Sequence, residues 1–364
     1  MNPDFWRGKR VFLTGHTGFK GSWLALLLQS VGAEVVGFSL PPPTKPSLFT
    51  LARVGEDMQS IEGDVRDLEH LGEALRRNRP EIIIHMAAQA LVRRSYSDPV
   101  GTYATNVMGT VHLLAAAKQV PETRAVVVVT SDKCYENRAE PQAFRESDPM
   151  GGVDPYSSSK GCAELATAAF RHSFFNGGTK HSAAIATARA GNVIGGGDWA
   201  EDRLIPDLVR ATMAGQVVMI RNPQAVRPWQ HVLEPISGYL LLVERLWEDG
   251  ARFADSWNFG PCDDNAKSVR WMVERAAELW GKDLIWETDG STHPYESPYL
   301  NLDSTRARTQ LGWQPRWDVD RALLATLTWY KEVCLSAQRA RPLLLEQVQT
   351  YFASAREARA TTRQ

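Results

Sequence analysis

The stretch RVFLTGHTGFKGSWLALLLQSVG, residues 10–32, decides the fold. It begins with a short apolar run, continues through Gly15, Gly18 and Gly21, and ends in an apolar pattern that predicts a helix. Glycines let a backbone turn tightly and approach a pyrophosphate, whose charge is attracted by the free amides of a following helix. The stretch therefore predicts the first strand, turn and helix of a dinucleotide-binding α/β fold.

The spacing of these glycines, GxxGxxG, differs from the GxGxxG of ordinary dinucleotide folds. No Gly-Lys-Ser/Thr sequence follows, so a mononucleotide P-loop is not indicated. A plain tight turn is the alternative. The position of the motif favours ligand binding, because it opens the first βα unit at the edge where such sheets bind ligands.

Five further apolar runs alternate with helix-like segments along the first half of the chain. They cover residues 34–40, 59–64, 81–88, 125–131 and 182–190. Strands that are apolar on both faces, with helices between them, predict a doubly wound parallel Rossmann sheet. The alternation fades after residue 190. We therefore predict an NAD-binding domain over 1–190, a smaller, partly interleaved α/β substrate lobe over 191–335 with some segments returning to the first domain, and a C-terminal helix and tail over 336–364.

Composition and charge exclude several classes of function. Lys plus Arg number 41 and Asp plus Glu 42, so no overall field favours nucleic acid or an anionic membrane. The four cysteines, at 134, 162, 262 and 334, lack metal-ligand spacing, which predicts free thiols in a reducing compartment and no metal. Neither a signal peptide nor an apolar run of about 20 residues is evident, so the cytoplasm is the expected location.

The ends of the next strands indicate how a dinucleotide could be bound. The second strand ends in Gly-Phe-Ser-Leu, without the acidic residue that usually binds the adenosine ribose, so NAD and NADP both remain open at this position. Asp64 ends the third strand and could bind the adenine amino group or cap the next helix. Ala87, Ala88 and Gln89 end the fourth strand beside the expected dinucleotide.

Two residues on a predicted helix indicate redox chemistry at a hydroxyl group. Asp154 and Pro155 form a favourable helix start, and Tyr156 and Lys160 follow at a spacing that places them on one face. A nearby ammonium favours the phenolate, which could accept a hydroxyl proton while a hydride leaves. A chance pair on a solvated helix is the alternative. The glycine turn upstream favours the catalytic interpretation.

An acid and an ammonium, Asp132 and Lys133, come directly after the apolar run that ends at Val129. A surface ion pair at the end of a strand is the simple interpretation. The fifth strand, however, also ends at the ligand-binding edge of the sheet. There, the pair could serve as a general acid and a general base.

The chain resembles the extended short-chain dehydrogenase/reductase superfamily. The resemblance covers about residues 5–335 and is carried by TGHTGFKG (14–21), MAAQ (86–89), Asn106 in YATNVMGT, and YSSSK (156–160). Within the superfamily it resembles the sugar-nucleotide 4,6-dehydratases, and among them the CDP-glucose branch. That finer resemblance rests on TGHTGFKGSWL, the SLPPPTKPSLF loop, TSDKCY and RAGNVIGGGDW (189–199).

The resemblance implies a three-step reaction that supplies deoxysugar biosynthesis. Tyr156 removes the C4 hydroxyl proton as tightly bound NAD takes the C4 hydride, water is lost across C5 and C6, and the hydride returns to C6. Ser131 bonds the C4 oxygen, Asp132 is the acid, and Lys133 is either the C5 base or a group that stabilises the enolate. Related dTDP-glucose enzymes carry Asp-Glu at the last two positions, so Lys133 indicates the CDP-glucose branch.

The same resemblance implies a homodimer formed through the Tyr156 helix and its neighbour, and it implies two sets of binding residues. Arginine suits a diphosphate because its planar group donates paired hydrogen bonds. The cofactor-binding residues are Gly15, Thr17, Gly18, Phe19, Lys20, Gly21, Asp64, Val65, Ala87, Ala88, Gln89, Asn106, Tyr156 and Lys160. The substrate-binding residues are Gln89, Arg94, Tyr96, Asn192, Arg203, Arg221, Arg227, His231 and Tyr299.

Three alternatives follow from the same motifs. A sugar-nucleotide 4-epimerase would use Tyr156 and Lys160 but would not need the Asp132-Lys133 pair. A 4,6-dehydratase could act on another nucleoside diphosphate glucose, because no residue pattern indicates cytosine. A non-catalytic NAD-binding scaffold or redox sensor would not need a proton acceptor such as Tyr156.

Overall fold

The computed structural model describes residues 1–137, 142–175, 183–261, 266–281, 284–291 and 299–361. Its centre is a parallel sheet flanked by helices on both faces. The strands are β1 (Arg10–Thr14), β2 (Glu34–Ser39), β3 (Gln59–Glu62), β4 (Ile82–His85), β5 (Ala125–Val129), β6 (Ala184–Ala190), β7 (Val193–Ile194), β8 (Val218–Ile220), β9 (Val226–Pro228), β10 (Gln230–His231), β11 (Ser256–Phe259), β12 (Ala266–Ser268) and β13 (Trp286–Thr288).

Fourteen α-helices lie in the described residues, together with π-helical turns at 104–108, 171–175 and 307–311. The helices are α1 (Pro3–Trp6), α2 (Phe19–Ser30), α3 (Leu48–Leu51), α4 (Leu68–Asn78), α5 (Val92–Ser97), α6 (Pro99–Tyr103), α7 (Gly109–Ala117), α8 (Pro155–Phe170), α9 (Leu204–Met213), α10 (Leu233–Glu248), α11 (Gly250–Phe253), α12 (Val269–Trp280), α13 (Val319–Leu335) and α14 (Ala340–Thr361). No helix of the described residues is long and apolar enough to cross a membrane.

The central sheet has seven parallel strands in the order β11-β6-β5-β4-β1-β2-β3. The order reverses between β1 and β4, the place where doubly wound sheets open a crevice at the carboxyl ends of their strands. All six predicted strands are present, and the predicted fold class is confirmed. The seventh strand, β11, was not predicted and lies beyond the predicted boundary at residue 190.

Helices cover both faces of the sheet because its central strands are apolar on both sides. Val127 and Val129 of β5 pack into one cluster with Trp23 and Leu240, whereas Val126 packs into another on the opposite face. Successive side chains of a strand point to opposite faces, so one run of valines serves both cores. Burying each of these valines fully contributes about 1.5–3 kcal/mol.

Three two-stranded sheets lie after β6, outside the central sheet. They pair β7 with β10, β9 with β12, and β8 with β13. Through β9, the second of these sheets positions Arg227 near the carboxyl end of β5, as the charge interactions of the site indicate. The division into a domain over 1–190 and a lobe over 191–335 stays a prediction, although the strand Ser256–Phe259 does return to the central sheet.

Candidate active site

The turn between β1 and α2 lies directly against the residues that follow β4. Gly15 has a φ of +77°, and a Cβ there would lie 2.8 Å from the Ala87 nitrogen. A Cβ at Gly21 would lie 2.1 Å from the Gly15 carbonyl oxygen. Both positions therefore require glycine for close backbone approach.

The first turn of α2 is suited to an anion. Gly18 is the N-cap residue, and no side chain caps the helix amides there. Uncapped amides at the start of a 12-residue helix attract a phosphate through their hydrogens and the helix dipole. The turn thus fits the pyrophosphate of a dinucleotide.

The end of β2 is fixed to this turn by hydroxyl groups. The Thr17 hydroxyl lies 2.8 Å from the Ser39 hydroxyl and donates to the Leu40 carbonyl at 2.9 Å. His16, which the sequence analysis did not consider, occupies the space left by Gly37 and lies 2.7 Å from the Ser60 hydroxyl. Burial lowers the pKa of His16 to about 4, so its ring is neutral near pH 7.

Asp64 does not cap the following helix, so that alternative is wrong. The N-cap of α4 is Asp67, whose side chain accepts from the His70 amide at 3.0 Å. The Asp64 carboxylate instead accepts from the Arg66 side chain, and these hydrogen bonds hold its pKa below the usual range. Its predicted contact with adenine remains a prediction, as does that of its buried neighbour Val65.

Asn106 links the segment after β4 to α8. Its side chain accepts from the Gln89 amide at 2.8 Å and donates to the Gln89 carbonyl at 3.0 Å and to the Ser159 hydroxyl at 2.8 Å. Asn106 lies in the π-helical turn at 104–108, a geometry that often marks functional sites. The Gln89 side chain itself bonds Leu91 in its own loop and the Thr102 hydroxyl on α6.

The acid predicted after β5 is buried. Asp132 is 3% exposed and begins a 3-10 turn that follows the extended residue Ser131. Ser131 donates to Asp132 Oδ1 at 3.0 Å, whereas Oδ2 has no hydrogen-bond partner among the described residues. The alternative of a surface ion pair is therefore wrong for Asp132.

The surroundings of Asp132 favour its protonated form. Burial raises the pKa of this carboxyl above its usual range, and the Lys133 charge and the Ser131 hydrogen bond oppose that rise. Oδ2 faces Gly191, where a Cβ would lie 3.0 Å away. A protonated carboxyl with a free oxygen can donate a proton to a leaving group.

Tyr156 and Lys160 lie in the first turns of α8, whose N-cap Asp154 accepts from the Ser157 amide at 2.9 Å. Both are buried, and the Lys160 ammonium donates to the Val129 carbonyl at 3.3 Å. Burial, and then the charge of Lys20, lower the pKa of Lys160 to about 8.

The sequence predicted that a nearby ammonium would favour the phenolate of Tyr156. The groups of the protein itself have the opposite net effect on its pKa. Burial raises the pKa of Tyr156 to about 12, and a hydrogen bond with Ser131 opposes that rise. Desolvation outweighs nearby cations because the phenolate loses its hydration. The same interactions place Tyr156 beside Ser131 and within the field of Asp132, so the two predicted pairs do meet at one site.

Lys20 brings a further charge into this site. Burial lowers the pKa of Lys20 to about 8, with the charge of Arg203 acting in the same direction and those of Asp132 and Asp198 opposing it. Arg203 is held by Asp198 at 2.8 Å. Sequence reasoning missed Asp198, whose only signal was its place in the motif RAGNVIGGGDW.

The predicted substrate-binding residues fall into two groups. Arg227 is 5% exposed, and its charge lowers the pKa of Asp132, which indicates that the two are close. Arg221 instead lies on Asp202 at 2.9 Å. The remaining positions are at the surface or partly buried: Arg94, Tyr96, Asn192 and Tyr299.

A cleft connects the Asp132-Lys133 turn with later parts of the chain. Its lining includes Asp132, Lys133, Ser157 and Leu300. Leu300 is next to Tyr299, whose carbonyl accepts from the Asn137 side chain at 3.0 Å. The cleft therefore brings the predicted substrate segment to the Asp132-Lys133 turn.

The structure does not place His231 in the predicted substrate site. It is fully buried, with its ring 5.6 Å from that of Trp23 and 4.8 Å from that of Trp317. Burial lowers the pKa of His231 to about 3, which keeps the ring neutral. His231 belongs to the core, so its predicted contact with substrate is withdrawn.

Three of the four cysteines can be located, and one of them, Cys134, is buried in the turn that carries Asp132. Cys134, Cys162 and Cys334 are free, and Cys262 lies outside the described residues. In the part of the chain that the structure describes, no three His, Cys, Asp or Glu residues are grouped to hold a metal ion. The polar groups that the described residues bring to this site are carboxyl, amino, hydroxyl and guanidinium groups.

The doubly wound sheet, with a tyrosine and a lysine facing its glycine-rich crevice, defines the extended short-chain dehydrogenase/reductase class. Within this class the chain belongs to the family described as GDP-mannose 4,6 dehydratase, whose model matches residues 12–326.

Known proteins resemble the chain over most of its length. CDP-glucose 4,6-dehydratase of Salmonella typhimurium (strain LT2) is 55% identical over 91% of this chain and 93% of its own. UDP-glucose 4-epimerase of Rhizobium leguminosarum bv. trifolii is 26% identical over 89% of this chain and 98% of its own. The structure of MoeE5 in complex with UDP-glucuronic acid and NAD has a TM-score of 0.74 and 26% identity, covering 89% of this chain and 99% of that one.

Proposed function

We propose that the protein is a hydro-lyase that converts CDP-D-glucose to CDP-4-keto-6-deoxy-D-glucose, with NAD as a recycled cofactor. The observation that carries the proposal is Asp132, a buried carboxyl with a raised pKa and an unpartnered oxygen beside Tyr156. The choice of CDP-glucose is supported by the 55% identity to a CDP-glucose 4,6-dehydratase.

NAD fits the crevice because the uncapped amides of α2 suit its pyrophosphate and Gly15 leaves no side chain in the way. Asp64 would bind the adenine end, and Ala87 and Ala88 would line the dinucleotide. Bound there, NAD would accept the C4 hydride and return a hydride to C6.

The chain's own groups move the protons of the first step. Tyr156 takes the C4 hydroxyl proton, and Ser131, which bonds the phenol, holds the C4 oxygen. Lys160 shares the helix face with Tyr156 and contributes a positive charge that favours the phenolate. The result is a C4 ketone, which acidifies the proton on C5.

Loss of water then needs an acid and a base on the same sugar. We assign Asp132 as the acid, because it lines the cleft beside Lys133 with an unpartnered oxygen and burial shifts its pKa upward, towards retention of a proton. Lys133 lines the same cleft and either accepts the C5 proton or stabilises the enolate. The C6 oxygen leaves as water, and a C5=C6 double bond is formed. A hydride is then added at C6, and C5 takes up a proton, which can come from solvent through the group that removed the first one.

A 4-epimerase is the competing function of the same class. It would need Tyr156 and Lys160 but no buried acid after Ser131, and it would not benefit from an unpaired Asp132 oxygen in the core. The unpartnered Oδ2 atom of Asp132 therefore favours elimination over epimerisation. Arg227 and Arg203 would bind the diphosphate, since guanidinium groups donate paired hydrogen bonds to phosphate.

A homodimer in the cytoplasm completes the proposal. Val100, Tyr103, Met108 and Leu165 are exposed apolar side chains on α6, the following π-helical turn and α8. Leu165→Glu should give a monomer in light scattering, whereas the control Leu335→Glu, at a residue 84% exposed on α13, should not. A dimer that survives Leu165→Glu would contradict this interface.

The function is tested by offering purified protein and NAD with CDP-, dTDP-, UDP- and GDP-glucose separately. A 4-keto-6-deoxy product from CDP-glucose, with no net consumption of NAD, is expected. A product from another nucleoside diphosphate glucose alone would contradict the choice of cytosine as the nucleobase of the substrate. No ketone from any donor would contradict the dehydratase, and a C4 epimer would support the competing function.

A further inference from the structure

A buried ion pair, Glu164 on α8 with Arg189 on β6, lies beneath the active site. Arg189 donates to both carboxylate oxygens, at 2.9 and 2.8 Å, and the side chains are only 5% and 4% exposed. Removing two charges from water costs more than a buried pair usually regains. The proposed mechanism does not use either group, so stability alone is a weak reason for their presence.

The pair makes hydrogen bonds to both ends of the Asp132-Lys133 turn. Before the turn, the Thr130 hydroxyl donates to Glu164 at 2.5 Å. After the turn, Arg189 donates to the Tyr135 hydroxyl at 2.6 Å. Four residues, 131–134, lie between them, and the last three of these form a single 3-10 turn.

Tyr135 is in turn fixed on its other sides. Its hydroxyl donates to Asn258 Oδ1 at 2.6 Å, and its ring stacks on Phe144 with centroids 4.9 Å apart and planes inclined by 6°. The Asn258 amide donates to the Phe144 carbonyl at 2.9 Å. Tyr135 is 1% exposed, so the end of the turn has little freedom to move.

The side chain of Asp132 makes few contacts that could fix its own position. Its Oδ1 atom accepts a hydrogen bond from the adjacent residue Ser131, and its Oδ2 atom has no partner among the described residues. Its position must therefore come from the backbone of the turn. That backbone is tied down where Thr130 and Tyr135 meet the ion pair.

We propose that four positioning residues hold the Asp132-Lys133 turn in place for elimination: Glu164, Arg189, Thr130 and Tyr135. The inference rests on the proposed function of Asp132 and Lys133. Misplacing a reacting group by about 1 Å can cost about 100-fold in rate. Oxidation at C4 depends on Tyr156, which lies on α8 outside the turn, and on Ser131 at the start of the turn, so oxidation should be slowed less than elimination.

The test compares Tyr135→Phe and Thr130→Val with wild type. Each should slow release of the keto product by about 10- to 100-fold, with KM nearly unchanged and the rate of NAD reduction lowered by a clearly smaller factor. Thr130→Ser keeps the hydroxyl and should restore the rate. The control is Thr187→Val, because Thr187 donates to the same Glu164 at 2.6 Å from β6 and not from the two residues, Thr130 and Tyr135, that flank the turn.

Amide hydrogen exchange provides a readout that does not depend on activity. In Tyr135→Phe the peptide covering 131–136 should exchange faster, while peptides of β5 and β6 should not; in Thr187→Val it should exchange as in wild type. If wild type makes no ketone, the proposed function fails and this comparison still tests the positioning. Unchanged exchange in Tyr135→Phe, or equal loss of elimination in Thr187→Val, would overturn the inference.

Discussion

Replacing Asp132 by asparagine should make the protein more stable and far less active. Asparagine keeps the shape of the side chain and the oxygen that accepts from Ser131, but it cannot supply a proton. General acid catalysis contributes about 10²- to 10⁴-fold, so elimination should slow by that factor. Oxidation at C4 should persist, and reduced cofactor should therefore accumulate.

The gain in stability follows from the burial of Asp132. Its Oδ2 has no partner in the described structure, and asparagine places a neutral amide group there, so the gain comes from the charge that asparagine never carries. A buried polar group without a partner costs about 1–3 kcal/mol and a charged one costs more, so the gain where Asp132 is ionised is about 1–3 kcal/mol. An unfolding entropy of about 2.1 cal/mol/K per residue, over the 364 residues of the chain, converts this to a Tm increase of about 1–4 °C.

The increase should depend on pH in a definite direction. Burial raises the pKa of Asp132, so the folded protein binds this proton more tightly than the unfolded chain does. The resulting stabilisation is complete below the unfolded pKa and is lost as pH rises through the folded pKa. Asparagine does not ionise, so its advantage over wild type should grow with pH.

Thermal unfolding across pH and the near-ultraviolet absorbance of reduced cofactor in a single turnover are the two assays. Asp198→Asn is the matched control for stability, because Asp198 is equally buried, at 4% exposed, but is paired with Arg203 at 2.8 Å. Breaking that pair should lower Tm. A lower Tm for Asp132→Asn at high pH, or full elimination, would refute the reasoning.

Three further predictions follow from the site and the core. Tyr156→Phe should abolish NAD reduction without weakening CDP-glucose binding measured by calorimetry; undiminished reduction would remove Tyr156 from its role. Lys133→Met should stop ketone release while some NAD reduction survives in stopped flow, and full turnover would exclude Lys133. Burial raises the pKa of Glu234 from 4.5 to about 7, so its contribution to stability is lost as pH rises across that range. Glu234→Gln should remove roughly 3 kcal/mol of that pH dependence in thermal unfolding, and an unchanged profile would contradict it.

The fold could be predicted where the strands are buried on both faces. The run AVVVV (125–129) packs into both cores, so its burial is visible as an unbroken apolar sequence. The strand Ser256–Phe259 has no such run, and it is recognised only by its pairing with residues 187–190. Pairing between segments far apart in the chain leaves little local signal.

The sequence could predict which residues form the site, but it could not predict the surroundings of their side chains. The spacing of Tyr156 and Lys160 gave their common helix face, yet the rise in the Tyr156 pKa comes from surrounding atoms that the spacing does not contain. His231 follows Arg227 closely in sequence, but its ring lies between Trp23 and Trp317. Packing of distant elements decides which side chains reach the cleft.

The central claim is that the Asp132-Lys133 turn eliminates water from an oxidised CDP-glucose. Its most direct test is a reaction of CDP-glucose with the NAD-loaded protein in deuterated water, with the product analysed by NMR and mass spectrometry. The account predicts a 4-keto-6-deoxy sugar that carries one solvent deuterium at C5. Unchanged CDP-glucose, a C4 epimer, or a 4-ketone that keeps its C6 hydroxyl would contradict it.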